Sequence, residues 1–192
     1  MRSAKRATTL EYALLGLLDQ EPHSGYELRR IFTLTPLGYF SDSPGAIYPA
    51  LRRLVARRWV GAGAPKGGRR RQEFRISARG REAFVAWLRL PVTVADVTTD
   101  PDALMLRFAF MGQALPAAAI RGFLREYERR MTSQLEGLRG HHGEHAHTWS
   151  FTGRLAFEHG LAQHEAKVAW ARSAARTLEK TKKKTKERTK EK

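Results

Sequence analysis

The sequence predicts a mainly α protein in two parts: a small N-terminal domain of helices with one β-hairpin, and a C-terminal domain of long helices. Three observations predict it. Apolar residues recur at spacings of three and four over most of the 192 residues, as in helices that bury one face. A single polar–apolar alternation, Gln72-Glu73-Phe74-Arg75-Ile76, follows a Gly- and Arg-rich segment and Trp59-Val60, as in a hairpin. Charge divides the chain in the same way. Residues 1–90 hold 17 Lys and Arg against 7 Asp and Glu, residues 91–176 hold 10 against 9, and residues 177–192 hold 8 against 3, which leaves +10, +1 and +5 of the total +16. The first part suits a polyanion; the second is built to pack or associate.

Residues 8–20 carry Leu10, Ala13, Leu14, Leu17 and Leu18 on one helical stripe, broken by Pro22 and His23. Ser24-Gly25-Tyr26-Glu27 matches a capping box, in which the Ser24 hydroxyl accepts from the Glu27 N–H and the Glu27 carboxylate reaches back. It opens a second helix with Leu28, Ile31 and Phe32 inward. Residues 35–42, with Pro36 and Gly38, read as a loop. Ser43 is an N-cap with Pro44 at the first helical position of a third helix, 43–57. After the hairpin, Ser77 caps a helix with Phe84, Trp87 and Leu88 on one face. Three helices, a hairpin and a fourth helix over residues 1–90 predict a winged helix-turn-helix with a two-stranded β wing.

Residues 91–101, with Pro91 and Pro101, read as a linker. Helical stripes follow over 102–112, 117–138 and 149–178. Leu104, Phe108, Phe123, Tyr127, Leu135, Phe151, Leu155 and Trp170 are the candidate dimerisation residues, because long amphipathic helices without a sheet cover their apolar surface most simply on a second copy. Residues 102–178 are thus expected to form a dimerisation and effector domain. Residues 179–192, rich in Lys with almost nothing to bury, are expected to be disordered.

The helix over 43–57 has two chemistries. Ile47, Ala50, Leu51, Leu54 and Val55 make one apolar stripe, while Gly45, Tyr48, Arg52, Arg53 and Ala56 lie on or near the other side, without a carboxylate. Gly67-Gly68-Arg69-Arg70-Arg71 adds a cationic hairpin tip. A small, acid-free, cationic helix beside such a tip fits the groove and phosphates of double-stranded DNA. The candidate DNA-binding residues are Ser43, Gly45, Ala46, Tyr48, Arg52, Arg53, Lys66, Arg69, Arg70 and Arg71. For each arginine, phosphate contact is the stronger expectation than base reading. Arg57 and Arg58, near the helix end, equally suit the helix dipole.

Other chemistries lack residues. There is no cysteine, which excludes disulfides and thiolate metal sites and fits a reducing compartment. No Walker-type glycine loop and no catalytic constellation occur, so an enzyme is not expected, nor a cofactor. His141, His142, His145 and His147 surround Glu144; a metal site there is weighed against a polar, Gly-flanked turn between two helices, and the turn is preferred. Apolar runs such as Ala13-Leu14-Leu15-Gly16-Leu17-Leu18 are too short to span a bilayer. The basic Met1-Arg2-Ser3-Ala4-Lys5-Arg6 is followed by Glu11, Asp19 and Glu21, a poor secretory leader. No membrane partner and a cytoplasmic location are expected.

Three segments together resemble the PadR family of bacterial transcriptional regulators: Ala13-Leu14-Leu15-Gly16-Leu17-Leu18 through Pro22-His23-Ser24-Gly25-Tyr26-Glu27-Leu28, then Ser43-Pro44-Gly45-Ala46-Ile47-Tyr48-Pro49-Ala50-Leu51-Arg52-Arg53-Leu54, then the wing ending in Phe74-Arg75-Ile76-Ser77-Ala78-Arg79-Gly80. Asp100-Pro101-Asp102-Ala103-Leu104-Met105-Leu106-Arg107-Phe108 and the helices after it resemble the longer subfamily with a C-terminal helical dimerisation domain. The resemblance implies a nucleoid-associated homodimer that binds an inverted-repeat operator, represses transcription and is released by a small-molecule effector, often aromatic. It implies that the 43–57 helix enters the major groove, that Tyr48 is the family's recognition-helix tyrosine, and that Arg52 and Arg53 stand where many members carry lysine. The Lys-rich tail departs from the family pattern. The competing expectation is a non-specific architectural DNA-binding protein, driven by the +16 charge and the tail.

Overall fold

The computed structural model describes residues 7–41, 44–64 and 72–190. They divide into two compact units, Met1–Leu90 and Pro91–Lys192.

In the first unit, α1 (Thr9–Gln20) begins at a capping box. Thr8 Oγ1 accepts from the Glu11 N–H, and Glu11 Oε2 accepts from the Thr8 N–H at 2.9 Å. Its Ala13, Leu14 and Leu15 are fully enclosed. A two-residue strand, β1 (His23–Ser24), leads into α2 (Gly25–Leu34), which starts at the expected Ser24–Glu27 box. The expected loop over 35–42 contains a 3₁₀ helix, Pro36–Phe40, capped by Thr35. A second 3₁₀ turn, Pro44–Ala46, runs into α3 (Ile47–Ala56). The wing is β2 (Val60–Ala62) and β3 (Glu73–Ile76), antiparallel, with Val60 opposite Ile76 and Ala62 opposite Phe74. β1 adds a third strand on the far side of β3, with His23 opposite Phe74, in the order β1-β3-β2. α4 (Ala78–Leu88) closes the unit, its Gly80 N–H donating to the capping Ser77 hydroxyl. An aromatic seam ties α4 to α1: Tyr12 stacks on Trp87 with centroids 4.5 Å apart, and Trp87 on Phe84 at 5.9 Å.

The end of α3 is unusual. Trp59 N–H donates to Leu54 O and Arg58 N–H to Val55 O, the two bonds of a Schellman cap. That cap needs a left-handed residue, which is normally glycine. Here it is Arg58, at φ 59°. An L side chain costs about 1–2 kcal/mol in that region. Arg58→Gly is therefore expected to raise stability by about 1 kcal/mol, after the entropy of the added glycine is subtracted. A urea midpoint that falls would contradict this.

The second unit differs from expectation at three places. Residues 91–101 are not a bare linker: Thr93 and Asp96 form a capping box that opens α5 (Val94–Thr98). α6 (Pro101–Ala114) then starts at Asp100. α7 (Ala117–His145) runs seven residues past the expected end at 138, so the histidine cluster is mostly helical rather than a turn. α8 (Phe151–Lys190) continues through most of the segment expected to be disordered. Lys and Glu are good helix formers, and the stretch holds no Gly or Pro to stop the helix. α7 and α8 are antiparallel, laced by Arg172–Glu128 and Arg139–Glu165 at 2.7 and 2.6 Å and by His142 near Glu158.

Candidate nucleic-acid interface

α3 buries Ile47, Ala50, Leu51 and Leu54 completely or nearly so against the first unit's core. This register turns the opposite face outward. Arg52 is exposed, and no hydrogen bond or ion pair holds it among the described residues. Tyr48 is 42% exposed. Its position is set by α2: a Cβ on Gly25 would stand 2.6 Å from Tyr48 Cε1, so the ring lies directly on the glycine backbone. Gly45 is exposed and Ala46 half-buried in the turn that enters α3. The first turn of α3 has no acid and no side-chain cap, whereas Glu11 and Glu27 sit in those of α1 and α2. The positive end of this helix is therefore left for an anion.

Arg53 is used differently from its neighbour. Its Nε–H donates to Glu11 Oε1 at 2.6 Å, and Arg57 Nη2 lies 3.9 Å from Glu11 Oε2. Glu11 is 1% exposed. The acid that caps α1 therefore also holds α3 by its arginines, and Arg53 positions the helix. Arg57 additionally lies 5.2 Å from the centre of the Trp59 ring. Sequence reasoning missed Glu11, whose partner is 42 residues away; only the Thr8-x-x-Glu11 box was readable. Ser43, Lys66, Arg69, Arg70 and Arg71 lie outside the described residues.

The expected dimerisation residues fall into two groups. Leu104, Phe123, Tyr127 and Leu135 are buried within the second unit, so their apolar surface is already covered. Phe108 joins them: it lies 5.6 Å from Phe123 and 5.3 Å from Trp170, which also meets Tyr127 edge-on at 5.8 Å. Burial pushes the Tyr127 hydroxyl pKa up. Phe151 and Leu155, at 68% and 46%, remain exposed, as does part of Trp170. At the other end of α7, His141 stacks on His145 at 4.4 Å, with Trp149 and Phe157 nearby. No group of three or more His, Asp or Glu among the described residues is arranged to hold a metal. No helix among them is long and apolar enough to cross a membrane.

A three-helix core with a wing, an outward arginine and a tyrosine on its third helix defines a winged helix-turn-helix of the DNA-binding class. The family model described as "Transcriptional regulator PadR-like family" matches residues 14–86, and that described as "Virulence activator alpha C-term" matches residues 102–179. Residues 14–86 are a domain of the PadR-like family of transcriptional regulators, and proteins of that family are not enzymes. Among solved structures it is similar to the PadR-like transcriptional regulator BC1756 from Bacillus cereus, at 24% identity, over 90% of this chain and 99% of that one, with a TM-score of 0.39. Bacillus subtilis PadR in complex with operator DNA is 23% identical over 88% and 98%, at a TM-score of 0.40. The same protein in complex with p-coumaric acid is 19% identical over 92% and 99%, at 0.41. No curated protein matches the sequence. The family assignment rests on the two family models.

Proposed function

We propose that this regulator is a homodimeric repressor that binds an inverted-repeat operator and is released by a small-molecule effector. The observation that carries the DNA reading is the outward face of α3, where Arg52 is exposed and unpaired among the described residues and Tyr48 is propped on Gly25. Two copies of α3 enter successive major grooves, with residues near its N-terminus closest to the bases. Lys66 and Arg69 to Arg71 on the wing meet flanking phosphate or the minor groove. Arg53 holds α3 in place instead of reading bases. The dimer forms through Phe151, Leu155 and Trp170, the exposed apolar residues of α8.

Arg52→Ala is expected to weaken operator binding by about 1–3 kcal/mol if the arginine reads a base, and uniformly across sequences if it meets phosphate only. Unchanged affinity removes Arg52 from the interface. The deciding experiment is selection from a random-sequence DNA pool at physiological salt with the full chain. Enrichment of one inverted repeat supports the dimeric regulator. Charge-dependent retention without enrichment, lost steeply as salt rises, supports the architectural alternative instead.

A further inference from the structure

Arg107, on α6, is the buried charge of the second unit among the described residues. It is 4% exposed, and its Nε and Nη2 have no hydrogen-bond partner. The guanidinium carbon lies 5.3 Å from the centre of the Phe123 ring on α7, so one face of the fork is occupied. Burial lowers its pKa, and Asp96 on α5 opposes that shift. Yet Asp96 does not close on it. No ion pair joins the two, and Asp96 Oδ2 instead accepts from the Thr93 N–H at 2.7 Å in the box that opens α5. A guanidinium stays charged in a protein, and a buried charge without hydrogen bonds is costly. Buried polar groups are otherwise almost always satisfied. The described residues thus supply no partner for this edge of Arg107.

The two unpartnered nitrogens define that partner. Nε–H and Nη2–H lie parallel along one edge of the guanidinium, the edge that grips a carboxylate by two parallel hydrogen bonds. We propose that Arg107 is the anchor of a ligand site among α5, α6 and α7 that takes a small organic carboxylate, held side-on by Nε and Nη2. An Asp or Glu of a second chain does not fit this role, because both nitrogens are enclosed within the unit. A small acid needs only local side-chain movement to enter. The proposal deepens the effector reading given above and rests on it. It also supplies a route for the signal: the carboxylate binds against α5, which begins four residues after Leu90, where the first unit ends.

The test uses the full chain without DNA, so its outcome is independent of the operator selection. Benzoate at about tenfold its dissociation constant is expected to raise the melting temperature by about 3–6 °C, acetate to act in the same direction at higher concentration, and the neutral isostere benzamide to do nothing. Arg107→Met, which keeps the apolar stem and removes the charge, is expected to melt no lower than the parent without ligand and to lose the benzoate shift. The ¹⁵N–¹H signal of Arg107 Nε is expected to move on benzoate addition to the unaltered chain, a readout that needs no variant to fold. A benzamide response equal to that of benzoate, a benzoate shift retained in Arg107→Met, or no response to either acid overturns the proposal.

Discussion

Gly80→Ala is expected to destabilise the first unit by about 3 kcal/mol or more, at or above the upper end of ordinary overpacking costs. An added Cβ would stand 2.0 Å from the Trp59 carbonyl oxygen and 2.8 Å from its carbon. Those atoms are backbone, so no side-chain rotation relieves the clash. The same carbonyl accepts from the Ser77 N–H at 2.9 Å, which means α4 cannot retreat without breaking the bond that anchors its capping residue. In a chain of this length the melting temperature is expected to fall by about 6–12 °C, read by the near-ultraviolet signal of Trp59 and Trp87. Gly122→Ala, inside α7 with nothing within 4 Å of the new Cβ, is the control and is expected to stabilise by about 0.5–1 kcal/mol. Equal melting of parent and Gly80→Ala would contradict the close docking of α4.

Glu11→Ala is expected to cost about 2–4 kcal/mol, the sum of a lost cap and a lost charge-assisted hydrogen bond. The carboxylate accepts from the Thr8 N–H and from Arg53 Nε, and its removal leaves both donors without their acceptor. Glu11→Gln keeps an acceptor and loses the charge, so it is expected to cost less than Glu11→Ala. Arg53→Ala is expected to cost less again, because Glu11 retains Thr8 and the nearby Arg57. This order is checked by urea denaturation of the three variants. Glu11→Ala is also expected to weaken DNA binding without touching the outward face, since α3 loses its tie to α1.

What was legible in the sequence was local or periodic. The Ser24–Glu27 box needs residues three apart and stands as read; the inward stripe of α3 repeats within ten residues and holds for Ile47, Ala50, Leu51 and Leu54, with Val55 only half-buried. The Thr93–Asp96 box is equally local, but Pro91 and Pro101 on either side of it are also what a linker carries. The charge of the tail and its lack of apolar residues point to disorder, but Lys and Glu are good helix formers, and α8 runs on to Lys190. β1 is two residues long and exists only because β3 comes to lie beside it. The Glu11–Arg53 pair is likewise tertiary. The apolar stripe of α7 was visible, but periodicity tells that a face is buried and not by what. Phe123 and Tyr127 meet Phe108 and Trp170 of their own chain.

The short strand before α2 has a consequence for how the wing works. β3 is hydrogen-bonded on both sides, to β2 and, through His23 and Ser24, to the residues that cap α2. A wing attached along one edge would swing about its base, and docking would have to arrest that motion at the expense of affinity. Here the base is immobilised when the chain folds, by the same serine that begins the helix. The amides of Phe74 and Arg75, paired with His23 and Gly61, should therefore exchange with solvent deuterons only as slowly as the helices around them, whether or not DNA is present.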